Sequence, residues 1–231
     1  MKFDRFSVIT FDCYGTLIDW ESGILAALRG VLEPRGIERP DDELLARFGE
    51  IESPIQFGTF RRYREVLDLT MGDLCRRLGF TPNLSEITAI SRSLPEWQPF
   101  PDTVAALQRL STRYQLGVIS NVDDDLFAGS ARHLGVTFDW VVTAQQVKSY
   151  KPSLSNFRQA LHQIGKPWDQ VLHCAQSLFH DIGPAHALGL ATVWVNRRTR
   201  KPGPGATPPS TAKPDLIVDD MATLARVACA S

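Results

Sequence analysis

Cysteine is scarce and scattered in this chain. Cys13, Cys75, Cys174 and Cys229 form no C-x-x-C pair, which speaks against a zinc site and a disulfide framework and points to a reduced, cytoplasmic setting. Excess charge of either sign is also missing. The formal net charge is −1, so nothing in the balance supplies a phosphate-neutralising surface, and a general nucleic-acid binder is excluded. No apolar run approaches ~20 residues, so no membrane span is expected. The opening MKFDRFSVITFD carries charge inside its apolar run and does not read as a secretory signal. There is no internal repeat. Cys13 reads as a small buried thiol. The 231 residues suffice for one sizeable core with a smaller inserted module.

What is present is alternation. Short β-rich runs occur at residues 6–11 (FSVITF), 115–120 (QLGVIS), 139–143 (DWVVT), 170–175 (QVLHCA), 191–196 (ATVWVN) and 215–218 (DLIV). Between them, residues 101–114, 126–136, 154–165 and 182–190 place apolar side chains at helical spacing. Gly165 and Gly189 stand where helix C-caps are expected. This rhythm predicts parallel pairing and an α/β fold, a doubly wound Rossmann-like sheet. Residues 19–96 break it. They hold helical patterns at 22–36, 41–51 and 60–80 and no clear strand. The expected division is a core of residues 1–18 and 97–231 with an inserted helical cap of residues 19–96. The stretch 196–215, rich in Pro, Gly and Lys, reads as a surface loop whose basic residues are solvated.

In open α/β sheets, sites form beyond the C-terminal ends of the strands. Those ends carry Asp12, then Ser120 and Asn121, then Lys151 ahead of Pro152, then His180 and Asp181. Each residue alone is common. The ordered set of a carboxylate, a hydroxyl with an amide, an ammonium and a His-Asp pair is much harder to obtain by accident.

The set DCYGTL from Asp12, Ser120-Asn121, Lys151-Pro152 and Asp181 resembles the haloacid dehalogenase superfamily of hydrolases over nearly the full chain. The resemblance implies a Rossmann-like core, a mobile cap and a nucleophilic Asp12. Phosphatases of that superfamily carry D-x-D at the first motif. Their second aspartate protonates the leaving oxygen, and Mg²⁺ neutralises the phosphate. Here the second position is Tyr14, and a phenol with a pKa of about 10 is a poor acid at neutral pH. The D-x-Y-G-T pattern resembles instead the L-2-haloacid dehalogenase branch, which implies no metal and no cofactor. In that chemistry a carboxylate displaces halide from the α-carbon of a small carboxylate substrate. Water then hydrolyses the resulting ester and releases a 2-hydroxy acid.

By the same resemblance, Lys151 pairs with Asp12 and keeps it ionised. Thr16 and Ser120 hydrogen-bond the nucleophile or the substrate carboxylate, and Tyr14 lies on the substrate side. Asn121 faces the leaving group, and Asp181 orients Lys151 or the attacking water. Arg47, within ARFGEIES (46–53), falls where the branch carries a halide-binding arginine; Arg61, Arg62 and Arg64 are rivals. Trp20, Phe48 and Phe60 could wall an apolar pocket, although core packing suits each of them.

The chain departs from the branch at three positions. Phe157 replaces a tyrosine six residues after the lysine, and Gln176 and Leu178 replace a Ser-x-Asn before Asp181. Phenyl and isobutyl groups cannot hydrogen-bond water, so part of the hydrolytic shell is missing. His180 offers a base near neutral pH in its place. DCYGTLIDWE, SYKP and QSLFHD together resemble a subgroup that includes azetidine-2-carboxylate hydrolase. There a strained-ring nitrogen leaves in place of halide, and His180 could supply its proton. Metal-independent dehalogenation is thus the first expectation. Another carbon–heteroatom cleavage next to a carboxylate is the second, and a Mg-dependent phosphatase the third. The apolar cap helices are compatible with a homodimer, though no motif requires one.

Overall fold

The computed structural model describes residues 1–199 and 206–230. Its strands are β1 (Val8–Phe11), β2 (Gln115–Ser120), β3 (Trp140–Thr143), β4 (Val171–Ala175), β5 (Ala191–Val195) and β6 (Leu216–Val218). They form one parallel sheet in the order β3-β2-β1-β4-β5-β6. This is the expected doubly wound α/β arrangement, and its strand order reverses at β1. The crevice beyond the C-terminal ends of β2, β1 and β4 is therefore where a ligand has room. All four residues of β1 are buried. That explains why it reads as a continuous apolar run rather than an alternation.

Between β1 and β2 lie α1 (Trp20–Leu32), α2 (Asp41–Gln56), α3 (Tyr63–Arg77), α4 (Leu84–Ile87) and α5 (Ala89–Ser93), with no strand among the described residues. Asp19 caps α1 by accepting from the Ser22 amide, and the helix buries Ile24, Leu28, Val31 and Leu32 along one stripe. Asp41, Asp42 and Glu43 fill the first turn of α2, where negative charge favours the helix dipole. After these come α6 (Thr103–Ser111), α7 (Asp124–Ala131), α8 (Ala144–Val147), α9 (Leu154–Ile164), α10 (Gly183–Ala187) and α11 (Met221–Ala228). Alternate strand positions feed two cores. Ile9, Phe11, Leu116 and Val118 join the larger one, with α6, α11 and the inserted helices. Val8, Ile119 and Val142 join the smaller one, with α9. Among the described residues no helix is long and apolar enough to cross a membrane.

Two local expectations need correction. The helix expected over 126–136 runs instead from Asp124 to Ala131. Two aspartates in its first turn favour the earlier start, and Gly135, at φ +68°, lies beyond its end. The loop expected over 196–215 does not leave Arg197 and Arg198 in solvent. The Arg197 side chain is only 7% exposed and binds both carboxylate oxygens of Asp102 at 2.7 and 2.9 Å. It also donates to the Thr16 carbonyl at 3.1 and 3.0 Å. Arg198 pairs with Glu21 of α1. A planar guanidinium with five donors can grip both oxygens of a carboxylate and a carbonyl together. The part of that loop over 200–205 lies outside the described residues.

Candidate active site

Asp12 is the first residue past β1 but one hydrogen bond keeps it with the sheet: its amide donates to the Cys174 carbonyl of β4 at 3.2 Å. Its carboxylate is held at both oxygens. Oδ2 accepts from Thr16 Oγ1 at 2.8 Å, and Oδ1 accepts from Lys151 Nζ at 2.9 Å. Thr16 Oγ1 in turn accepts from the Gln176 amide at 2.9 Å, which ties the loop after β1 to the loop after β4. The turn between them needs a glycine. Gly15 sits at φ +94°, and a Cβ there would stand 2.8 Å from Trp20 Nε1.

Lys151 is buried, and its three donors are all engaged: Asp12 Oδ1 at 2.9 Å, Asp181 Oδ1 at 2.6 Å and the Ile119 carbonyl at 2.8 Å. Asn121 fixes the lysine's backbone from both sides. Its Oδ1 accepts from Lys151 N at 2.7 Å and its Nδ2 donates to Lys151 O at 3.1 Å. Asn121, the side chain expected to face a leaving group, thus lines the cavity while bracketing the lysine's backbone. Burial disfavours that ammonium, but Asp12 and Asp181 outweigh it and hold Lys151 above the ordinary lysine range. Burial pushes Asp12 up against the pull of Lys151. Asp181 is buried too, yet the charge of Lys151 and the hydrogen bond from His173 hold it low.

Nothing in its sequence context singles out His173. It is fully buried in the middle of β4, with Nε2 3.1 Å from Asp181 Oδ1 and Nδ1 2.9 Å from Thr10 Oγ1. The register that pairs Thr10 with His173 across β1 and β4 makes this possible. The signal available was a lone imidazole inside the apolar run VLHCA. Phe157 packs edge-on against that ring, centroids 5.1 Å apart. Its phenyl therefore serves the packing beneath Asp181.

A small cavity of about 50 Å³, partly open to solvent, brings together Asp12, Tyr14, Ser120, Asn121, Lys151, His180 and Asp181. Ser120 Oγ is buried and has no hydrogen-bond partner, so it is available to a ligand. The Tyr14 hydroxyl lies 2.9 Å from Ser130 Oγ. His180 stands on a π-helical turn, Leu178–Ile182, with Nδ1 3.1 Å from Ser177 Oγ. Burial lowers its pKa to about 4, with Lys151 adding to the effect and Asp181 opposing it. At neutral pH it is an uncharged imidazole, able to accept a proton and without a spare one to give.

Arg47 is not brought into this group. Its Nε pairs with Glu43 at 2.9 Å on the half-exposed side of α2, and it does not line the cavity. At 3.6 residues per turn, Arg47 and Glu52 project roughly 140° apart, and it is Glu52, with Gln56 one turn on, that reaches the cavity. Arg61 pairs with Glu65, and Arg62 and Arg64 pair with Asp125. Glu52 is 6% exposed. Burial pushes its carboxyl up to about 7, against hydrogen bonds from Tyr63 and Gln56. Trp20, Tyr63, Gln176, Ser177, Ala206 and Thr207 also line the cavity. Phe48 belongs to the core, and Phe60 stacks on Tyr150 with centroids 5.4 Å apart.

The family model described as haloacid dehalogenase-like hydrolase matches residues 9–195. Among curated proteins the chain is similar to (S)-2-haloacid dehalogenase H-109 of Pseudomonas putida, at 25% identity over 195 residues, covering 82% of this chain and 85% of that one. A second (S)-2-haloacid dehalogenase of Pseudomonas putida is 24% identical over 223 residues, covering 94% and 93%. Among solved structures, an L-2-haloacid dehalogenase matches with a TM-score of 0.80 at 24% identity, over 98% of this chain and all of that one (100%). The L-2-haloacid dehalogenase from Xanthobacter autotrophicus with chloropropionic acid covalently bound matches with a TM-score of 0.81 at 19% identity, covering 96% and 98%.

Proposed function

The chain belongs to the haloacid dehalogenase-like hydrolases, and on that footing we propose that it hydrolyses a short-chain 2-haloacid to the 2-hydroxy acid through an ester on Asp12. One observation carries this reading: a buried carboxylate at the tip of the central strand, ion-paired to Lys151 and hydrogen-bonded by Thr16, faces a small cavity. The relatives named (S)-2-haloacid dehalogenases support it.

The substrate carboxylate accepts from the unpartnered Ser120 hydroxyl. Asp12 attacks the α-carbon, and the carbon–halogen bond pair leaves with the halide. The oxygen facing Lys151 becomes the ester carbonyl. Water adds to that carbonyl, and the ammonium stabilises the charge that develops there. With its Nδ1–H donating to Ser177, His180 presents Nε2 to take the proton from water. Collapse releases the 2-hydroxy acid and restores Asp12, and the proton passes from His180 to solvent. No divalent cation is required, because the Lys151 ammonium already stands between the carboxylates of Asp12 and Asp181 at 2.9 and 2.6 Å. Residues 19–96 act as the cap in this reading, since Trp20, Glu52, Gln56 and Tyr63 close the cavity over a core of residues 1–18 and 97–231. The four free thiols suit a cytoplasmic setting.

A panel of chloroacetate, bromoacetate, the two 2-chloropropionate enantiomers and a generic phosphomonoester, each with and without chelator, tests the proposal. Halide release that survives chelation, favours the (S)-enantiomer and vanishes in Asp12→Asn is the expected result. Phosphate release abolished by chelator would move the protein to the phosphatases.

A further inference from the structure

Three carboxyls line the cavity, and the mechanism above uses two of them, Asp12 and Asp181. The third, Glu52, is buried and comes from α2, while Asp12 rises from the sheet. In an in-line displacement the leaving atom departs on the side away from the nucleophile, here toward the inserted helices. Among the described residues the wall offers that atom no free cation. Lys151 has all three donors engaged, and Arg47, Arg61, Arg62 and Arg64 are each paired with carboxylates elsewhere. A departing anion beside an ionised Glu52 would be repelled; beside a protonated one it gains a hydrogen bond.

We propose that Glu52 donates a proton to the departing atom, so that the site handles leaving groups that depart as bases, fluoride or an amine nitrogen, as well as the heavier halides. This rests on the Asp12 ester reading. As an Asp12 oxygen bonds to the α-carbon, the carbon–leaving-group pair moves to the leaving atom, which takes the Glu52 proton and departs as HX. Glu52 is left as a carboxylate. The proton released when water hydrolyses the ester returns to it through solvent, so each cycle consumes one water and yields one 2-hydroxy acid and one HX.

The surroundings suit a donor that changes state near neutrality. On its own helix Glu52 faces Gln56, and on α3 it faces Tyr63; its charge is felt by Tyr150 in the loop after α8. Burial pushes both phenols above their ordinary range, so both are uncharged at pH 7. Across the cavity stand Tyr14, Asp12, Lys151, His180 and Asp181, and the lysine's charge is shared between its two carboxylates. Glu52 therefore titrates at about 7. His180, uncharged at that pH, is the poorer donor.

The test is turnover of fluoroacetate and bromoacetate between pH 5.5 and 9 by the wild type, Glu52→Gln and Tyr63→Phe. Fluoride, the conjugate base of a weak acid, needs the proton; bromide does not. Fluoroacetate turnover by the wild type should fall as pH rises through about 7. Glu52→Gln should lose roughly 100-fold more on fluoroacetate than on bromoacetate, the scale of general-acid assistance. Tyr63→Phe removes a hydrogen bond that favours the carboxylate, so it should move the alkaline limb upward. Equal losses on both substrates, a limb that stays in place in Tyr63→Phe, or bromide release without fluoride release by the wild type would each overturn the role of Glu52. A wild type that releases neither halide would overturn the dehalogenase reading, and this inference with it.

Discussion

His180 accepts rather than donates because burial keeps it neutral down to about pH 4. As pH falls through that value the imidazole protonates and can no longer take a proton from water, so ester hydrolysis should slow while ester formation persists. His180→Ala should show the same block at neutral pH: an ester on Asp12 that accumulates within one turnover, detected by intact-mass spectrometry after rapid quenching. Turnover unchanged from the wild type would remove the histidine from the mechanism. Asp12, Ser120, Lys151, His180 and Asp181 can be read from the chain because each ends or follows a strand, and a parallel sheet gathers such positions at one edge. Glu52 and His173 cannot be read the same way. What makes them notable is burial and a partner distant in sequence, and the residue type alone shows neither. Arg47 shows the converse. It lies in the right segment, but on a face of α2 turned toward Glu43.

In α2 the same carboxyl couples stability to pH. Glu52 is raised in the fold from 4.5 to about 7. Between those values the native state holds a proton that the unfolded chain has released. The stability it contributes is therefore full below about pH 4.5 and lost as pH rises through about 7. The gap corresponds to on the order of 3 kcal/mol. Glu52→Gln, neutral throughout, should lack this slope and be more stable than the wild type at pH 8, as read from urea midpoints at pH 5 and 8. The turn after β1 is a second sensitive element. Gly15→Ala forces a side chain into the left-handed region and against Trp20. We expect a loss of ~1–3 kcal/mol, with a matching fall in melting temperature, and reduced turnover because Thr16 and Trp20 flank the nucleophile. The strands and most helices are legible as runs and periods in the sequence. The start of α7 is not, because two aspartates that read as loop residues are helix-starting residues once Asp123 turns the chain.

Across the whole molecule, the loop after β5 is sewn to the site by Arg197, which joins Asp102 at the start of α6 to the carbonyl of Thr16. A composition rich in Pro, Gly and Lys predicts exposure there; the guanidinium is buried because two acceptors from distant segments meet at its position. Arg197→Ala leaves Asp102 without its charge partner, so it should cost roughly 3 kcal/mol and reduce turnover through Thr16, whereas unchanged stability would show the clamp to be idle. The same fold carries the carboxylate, its ammonium and the base beyond the ends of β1, β3 and β4, at one edge of the sheet, and the chemistry follows from that convergence. The most direct measurement is a single turnover in heavy-oxygen water with enzyme in excess over a 2-haloacid. Mass spectrometry should find an unlabelled 2-hydroxy acid and one heavy oxygen on the peptide carrying Asp12. Heavy oxygen in the product of that first turnover, with Asp12 unlabelled, would mean that water attacked the substrate carbon directly, and the ester on Asp12 would be disproved.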